Sequence, residues 1–210
     1  MSQVTTGLRS VLSHPAVYDT LQHLMGARRL RVYNVQTHVR PFPGMRMLDL
    51  GCGTAEVLDA LPPDVCYVGY DMSAEYIAAA RRRFGDRGVF CCGLLQQADV
   101  GKHEPFDLVT GTGVLHHLDD AAAHAFMMVA AAALKPGGRI YTVDPCLAPG
   151  QNPIARLLIS HDRGRHVRDA AGYLALARRL TADVTGRLVH TSWIPYTRWH
   201  MECRVAAQSD

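Results

Sequence analysis

Lysine is almost missing from this 210-residue chain: Lys102 and Lys135 stand alone beside a large excess of arginine. A surplus of one charge is missing too. Twenty-two basic residues against nineteen acidic ones leave a net charge of +3, which makes no case for the concentrated basic face of a nucleic-acid binder. No C-x-x-C pair occurs among Cys52, Cys66, Cys91, Cys92, Cys146 and Cys203. With strand-like apolar neighbours such as Val65, Phe90 and Val205, these read as buried, reduced thiols of a cytoplasmic protein rather than zinc ligands or disulfides, and no metal is expected. There is no long hydrophobic run. The longest, Ala121 to Leu134, is broken by His124 and falls short of the ~20 residues a bilayer span needs. The opening MSQVTTGLRSVLSHP has no charged-then-apolar signal pattern. A soluble protein without a transmembrane segment is the expectation.

What is present suits one globular domain, 48% hydrophobic and 20% charged, large enough for a sizeable core. Helical spacing runs through Val17, Leu21, Leu24 and Met25, and less regularly through Leu30, Val32, Val35 and Val39. Pro41-Phe-Pro-Gly44 then breaks the chain before a strand at Met45–Leu50. Further strands are expected at Cys66–Tyr70, Gly88–Cys92, Phe106–Thr110 and Arg139–Asp144. Helices are expected between them at Thr54–Leu61, Ser73–Phe84 and Asp119–Leu134, with Ser73 as an N-cap and Lys135-Pro-Gly-Gly138 as a stop. This alternation predicts a parallel sheet covered on both faces. Beyond Asp144 helices are expected near Ile154–Ser160 and Ala171–Leu180. Two closing strands, Val184–Trp193 and Arg198–Ala206, are joined by a turn at Ile194-Pro-Tyr196 and must be antiparallel.

Leu48-Asp-Leu-Gly-Cys-Gly-Thr54 follows the first strand and opens a helix, so it lies where open α/β sheets bind ligands. Gly51 and Gly53 allow a sharp turn and close approach to a ligand, and free N–H groups of the helix would face an anion. A dinucleotide fingerprint needs another small residue three positions on. Glu56 stands there and would oppose a pyrophosphate, so a zwitterionic amino-acid tail fits better. Asp71, ending the second strand in Val68-Gly-Tyr-Asp-Met72, is placed to accept both hydroxyls of a ribose. Phe106-Asp-Leu-Val-Thr-Gly-Thr-Gly-Val-Leu-His-His-Leu118 ends the fourth strand and enters a loop beside the crevice.

LDLGCGT, YVGYDMS, FDLVTGTGVLHHL and LKPGG, in this order and spacing, resemble the class I S-adenosylmethionine (SAM) dependent methyltransferases, close to a ubiquinone/menaquinone-methyltransferase-like small-molecule subgroup. The resemblance covers about residues 45 to 145. It implies a Rossmann-like α/β fold whose seven-stranded sheet is mostly parallel with an antiparallel last strand. One domain, 1–210, would then divide into an N-terminal helical cap (1–44), a SAM-binding core (45–145), a helical lid (146–182) and C-terminal antiparallel strands (183–210). It further implies that Asp49 and the Gly51, Cys52 and Gly53 backbone meet the methionine part of SAM. Asp71 would take the ribose, Met72 would pack on the adenine, and Thr112, Gly113 and Val114 would lie near the sulfonium. Relatives often carry an acid after the third strand. Here Leu94 stands in its place, leaving the adenine to backbone groups of Leu94 and Leu95 or to Gln96.

The expected reaction is methyl transfer to a small-molecule acceptor, leaving S-adenosylhomocysteine. A SAM enzyme of other chemistry, such as a cyclase or cyclopropane former, and a non-catalytic SAM-binding protein stay open as alternatives. His117, or else His116, is the candidate general base; the other reading of such a pair is packing against the cofactor. The dense polar run holding His161, Arg163, Arg165, His166 and Arg168 reads either as a solvated loop or as a lid whose arginines clamp an acidic acceptor. Asp144, ending the fifth strand, joins His161, Arg163, Arg165 and His166 as a candidate substrate contact. Arg81-Arg-Arg83 reads as helix-end charge, and Arg28, Arg29 and Arg31 as solvated.

Overall fold

Strand parity decides which face of the sheet each side chain enters. In the computed structural model, which describes residues 27–160, 164–191 and 196–205, the strands are β1 (Arg46–Leu50), β2 (Cys66–Asp71), β3 (Gly88–Cys92), β4 (Phe106–Thr112), β5 (Leu134–Leu147), β6 (Arg168–Asp169), β7 (Val184–Thr191) and β8 (Tyr196–Arg204). They lie in the order β3-β2-β1-β4-β5-β8-β7, with the two-residue β6 paired to β5 off this path. β1 to β5 run parallel, and β8 is antiparallel to both β5 and β7. This is the expected Rossmann-like sheet, with β6 as an addition the sequence did not announce. The order reverses between β1 and β4, which opens a crevice at their carboxyl ends.

Leu48, Leu50, Val109 and Ile140 share one face with Ala123, Met127 and Ala130 of α3 (Asp120–Ala132) and with Tyr173, Leu176 and Ala177 of α5 (Ala170–Arg178). Met47, Leu108, Tyr141 and Val143 occupy the other face, beneath Ile77 and Ala80 of α2 (Ala74–Phe84) and Val35 and Val39. Those two valines bound a π-helical turn, Val35–Val39, that follows α1 (Ala27–Asn34). The remaining helix, α4 (Pro153–Ser160), buries Ala155 and Ile159. Ser73 caps α2 as expected, its hydroxyl accepting from Tyr76 N at 3.2 Å, while Asp119 and Asp169 cap α3 and α5.

Several expectations need correction. The helix expected at Thr54–Leu61 is a single 3-10 turn, Glu56–Asp59. Ala55 enters it in the left-handed conformation, φ 56°, and Pro62 and Pro63 close it off, so no helix dipole faces the glycine loop. Lys135–Gly138 is no clean break between α3 and a strand. The pairing jumps from Phe106↔Leu134 to Leu108↔Arg139, making these residues a bulge inside β5, with Gly137 at φ 76°. All six cysteines are free, but Cys66 and Cys92 are exposed. Arg31 is not solvated: it pairs with Glu56, which Arg83 also approaches at 3.6 Å. Arg83 in turn holds Asp59 at 2.6 Å. Val17, Leu21, Leu24 and Met25, with His161 and Arg163, lie outside the described residues.

Candidate functional site

The glycine loop turns back on β2 at once, Gly51 and Cys52 both donating to Tyr70 O at 2.7 and 3.0 Å. Gly51 has φ 81°, and a Cβ there would stand 2.5 Å from Val114 Cγ2. That contact joins the loop after β1 to the loop after β4, which sequence alone could not show. Gly53, at φ 56°, is different: a Cβ on it would meet nothing within 4 Å. One glycine is needed for packing and the other borders open space, the cradle a ligand backbone would use. Cys52 packs over Gly69, whose added Cβ would lie 2.8 Å from its sulfur. Burial, with the Asp49 and Asp71 charges, pushes this thiol far up, so it is a neutral packing group.

Asp49 is buried, and both oxygens already have donors: Tyr67 Oη on Oδ2 and Thr110 Oγ1 on Oδ1, each at 2.8 Å. Burial raises its pKa, the two hydroxyls pull it back, and Asp71 adds repulsion. Asp49 therefore braces the strand ends beneath the loop. Asp71 bridges the crevice wall, accepting from Gly53 N at 2.9 Å and from Ser73 N at 2.8 Å. Its carboxylate fixes the glycine loop while keeping lone pairs to spare. The apolar side chains of Met72 and Leu94 are 51% and 57% exposed at the ends of β2 and β3, an arrangement fit for a planar base. Leu95 turns into the core, so only its backbone could serve a ligand.

Beyond β4, Thr112 is exposed while Gly113 and Val114 are partly buried. Here the chain bends into a short 3-10 turn, Leu115–His117. His116 is buried, and Asp144 Oδ1 receives both its backbone N–H, at 3.1 Å, and its ring Nδ1, at 2.8 Å. Asp144 is itself 2% exposed, and its Oδ2 has no hydrogen-bond partner. The substrate contact expected of Asp144 is thus replaced, on its Oδ1 side, by a buried carboxylate–imidazole pair. His117, partly buried, tilts against His116 with ring centroids 4.0 Å apart.

The segment after α4 closes over this pair. His166 N donates to His116 O at 3.0 Å, and a Cβ on Gly164 would collide with the His116 ring. Arg168 is committed to the protein: it donates to Leu115 O at 2.9 Å and Leu118 O at 2.8 Å, and pairs with Asp120 at 2.7 Å. It fastens the segment rather than clamping an acceptor. Arg165 is exposed.

A second polar cluster, not foreseen from sequence, lies on the face under the π turn. His38 stacks on Tyr141 with centroids 5.1 Å apart and planes 16° apart. His200 lies 5.0 Å from His38 and bonds Tyr141 Oη through Nδ1 at 2.6 Å. The three residues are 59 or more positions apart or on different elements, so no local spacing marks them.

A methyltransferase-domain family matches residues 48–140. The chain is 28% identical over 186 residues to the ubiquinone biosynthesis O-methyltransferase of Xylella fastidiosa (strain 9a5c), covering 81% of this chain and 72% of that protein. Two solved structures share the fold. The pyocyanin biosynthetic protein PhzM superposes with a TM-score of 0.69 at 19% identity, over 95% of this chain and 62% of its own. Haemonchus contortus phosphoethanolamine N-methyltransferase 2, bound to phosphomonomethylethanolamine and S-adenosylhomocysteine, gives 0.66 at 16%, over 97% and 61%. The chain therefore spans less than two thirds of either solved protein.

Proposed function

We propose that the chain is a class I SAM-dependent methyltransferase, like the methyltransferase-domain family its residues 48–140 match, and that it methylates a hydroxyl of a small, acidic acceptor, with His116 receiving the hydroxyl proton. SAM, its cofactor, supplies a methyl group already activated on a sulfonium. The residues fit that group: open space at Gly53 and exposed apolar flanks at Met72 and Leu94. We assign the Gly51–Gly53 backbone to its methionine part, Asp71 to the ribose, Met72 and Leu94 to the adenine, and Thr112 to Val114 to the reacting end.

The observation that carries the proposal is the His116–Asp144 pair at the crevice edge. A carboxylate on Nδ1 holds that nitrogen as the donor, so a proton taken from an acceptor enters at Nε2, and Asp144 stabilises the imidazolium that results. Burial of both groups keeps water away and strengthens this attraction. The assignment moves the base from His117, first choice on sequence, to His116. Arg165 is the described lid residue available to an acidic group. Six free cysteines support a reducing compartment, the cytoplasm, and no helix among the described residues is long and apolar enough to cross a membrane.

The test is an acceptor library incubated with trideuteromethyl SAM and read by mass, followed by His116→Gln and Asp144→Asn. Methyl transfer leaves three deuteriums in the product, whereas cyclopropane formation leaves fewer. Both variants should lose at least tenfold in kcat while binding S-adenosylhomocysteine normally. An undiminished kcat in His116→Gln refutes the assignment of the base.

A further inference from the structure

The proposed base occupies only one of the two oxygens of Asp144. Oδ1 receives both donors of His116, whereas Oδ2 is buried and has no hydrogen-bond partner among the described residues. Asp49, the other buried carboxylate of the crevice, carries a hydroxyl donor on each oxygen. Among the described residues no lysine or arginine pairs with Asp144, and Arg168, from the segment closing over it, is spent on Asp120 and two carbonyls. The face that Asp144 enters is apolar. Its direct partner across β8 is Trp199, which shares a core cluster with Leu115 and Tyr173. A carboxylate in such surroundings is unfavourable alone and strongly favoured by a nearby cation, since neither water nor an ion pair cancels its field. Tyr173 registers that field: burial first, then the Asp144 charge, push its phenol up.

The backbone brings this carboxylate close to the reacting end. Gly113 N donates to Val143 O at 2.7 Å, tying the loop after β4 to the residue just before Asp144. A Cβ on Gly113 would lie 3.7 Å from His116 Cε1. Nδ1, bonded to that carbon, is 2.8 Å from Asp144 Oδ1. One imidazole therefore separates the carboxylate from the loop assigned to the sulfonium.

We propose that Asp144 is the counter-ion of the crevice, acting through space to favour cationic SAM over neutral S-adenosylhomocysteine. The inference rests on the proposed function for the placing of the sulfonium at Thr112 to Val114. Cofactor and product differ there by one methyl and one positive charge; the contacts assigned to the glycine loop, Asp71, Met72 and Leu94 are common to both. When the methyl passes to the acceptor oxygen, the C–S electron pair stays on sulfur and the hydroxyl proton enters His116 Nε2. The positive charge thus leaves sulfur and reappears on the imidazole beside Asp144 Oδ1. The carboxylate faces a cation before and after the transfer, and the nearer one afterwards, so holding the cofactor does not oppose the reaction. Once His116 sheds its proton, the product offers Asp144 no charge to hold, which favours its release.

Calorimetry on the full chain, with no acceptor present, reads this directly. The wild type should bind SAM more tightly than S-adenosylhomocysteine, and sinefungin, whose ammonium stands in for the sulfonium, should follow SAM. Asp144→Asn should weaken SAM by about tenfold, the order of one charge pair in a protein site, and leave S-adenosylhomocysteine unchanged. Asp144→Glu, which keeps the charge, should restore most of the preference, and His116→Gln, which keeps the carboxylate, should retain it. S-adenosylhomocysteine as the tighter ligand of the wild type overturns the proposal without any variant. A preference that survives Asp144→Asn, or an equal loss of both ligands, overturns it as well. If neither ligand binds the wild type, it is the cofactor reading that falls.

Discussion

Acid should destabilise this protein through one identifiable imidazole. His200 is 6% exposed, its Nδ1 bonded to Tyr141 Oη at 2.6 Å. Burial first, then His38, Arg198 and Arg187, lower its pKa from the ordinary 6.5 to about 4. A folded-state pKa below the unfolded one means that the unfolded chain takes up a proton first as pH falls. Stability from this group is therefore complete above pH ~6.5 and drains away until pH reaches about 4. At 1.36 kcal/mol per unit the full loss is about 3 kcal/mol, of which about 2 kcal/mol falls between pH 7 and pH 5. That is a large share of the ~5–15 kcal/mol a typical domain possesses. His200→Phe keeps the ring but cannot titrate, and gives up the Tyr141 hydrogen bond, about 1 kcal/mol at any pH. Urea midpoints should then cross: the variant is the weaker by about 1 kcal/mol at pH 7 and the stronger by a similar amount at pH 5. Curves that fall in parallel from pH 7 to pH 5 would refute the reasoning.

Three further outcomes follow from the packing. Gly51→Ala drives a methyl against Val114 and should lower the melting temperature, whereas Gly53→Ala should cost only ~1–2 kcal/mol of backbone strain yet still weaken S-adenosylhomocysteine binding by calorimetry. Asp71→Ala should weaken the same binding by about 1.5–3 kcal/mol, and unchanged affinity would remove Asp71 from the cofactor site. Arg168→Met strands the Leu115 and Leu118 carbonyls and should cost about 2–4 kcal/mol in urea unfolding; a variant of normal stability but raised acceptor KM would return Arg168 to substrate recognition.

The parallel strands and α2 were legible because their cues are local: apolar runs of five to seven residues and a capping serine. The helix after Gly53 was misjudged because Thr54–Leu61 has helical composition, while its length is set by the two prolines and a left-handed Ala55 that composition does not reveal. Glu56 shows the same limit in electrostatics. On sequence its charge stood against a pyrophosphate; in the fold Arg31 and Arg83 compensate it, so that objection loses most of its force. The glycines themselves were readable as a loop, but the division of labour between Gly51 and Gly53 depends on Val114, sixty-three positions away from the first.

The arginines make the sharpest contrast between position in the chain and role in the fold. Arg163, Arg165 and Arg168 formed a single run on sequence, and a common role was natural to expect of them. Arg168 instead lies where β6 passes the loop after β4, with backbone carbonyls within reach, and its guanidinium is used up in fastening. A fixed cation contributes to recognition only while it lacks a protein partner, since a paired guanidinium would have to break one ion pair to make another. Among the described residues of the run Arg165, exposed and in no ion pair, meets that condition and Arg168 does not, which is why the acid of the acceptor is assigned to Arg165 rather than to the fastening arginine.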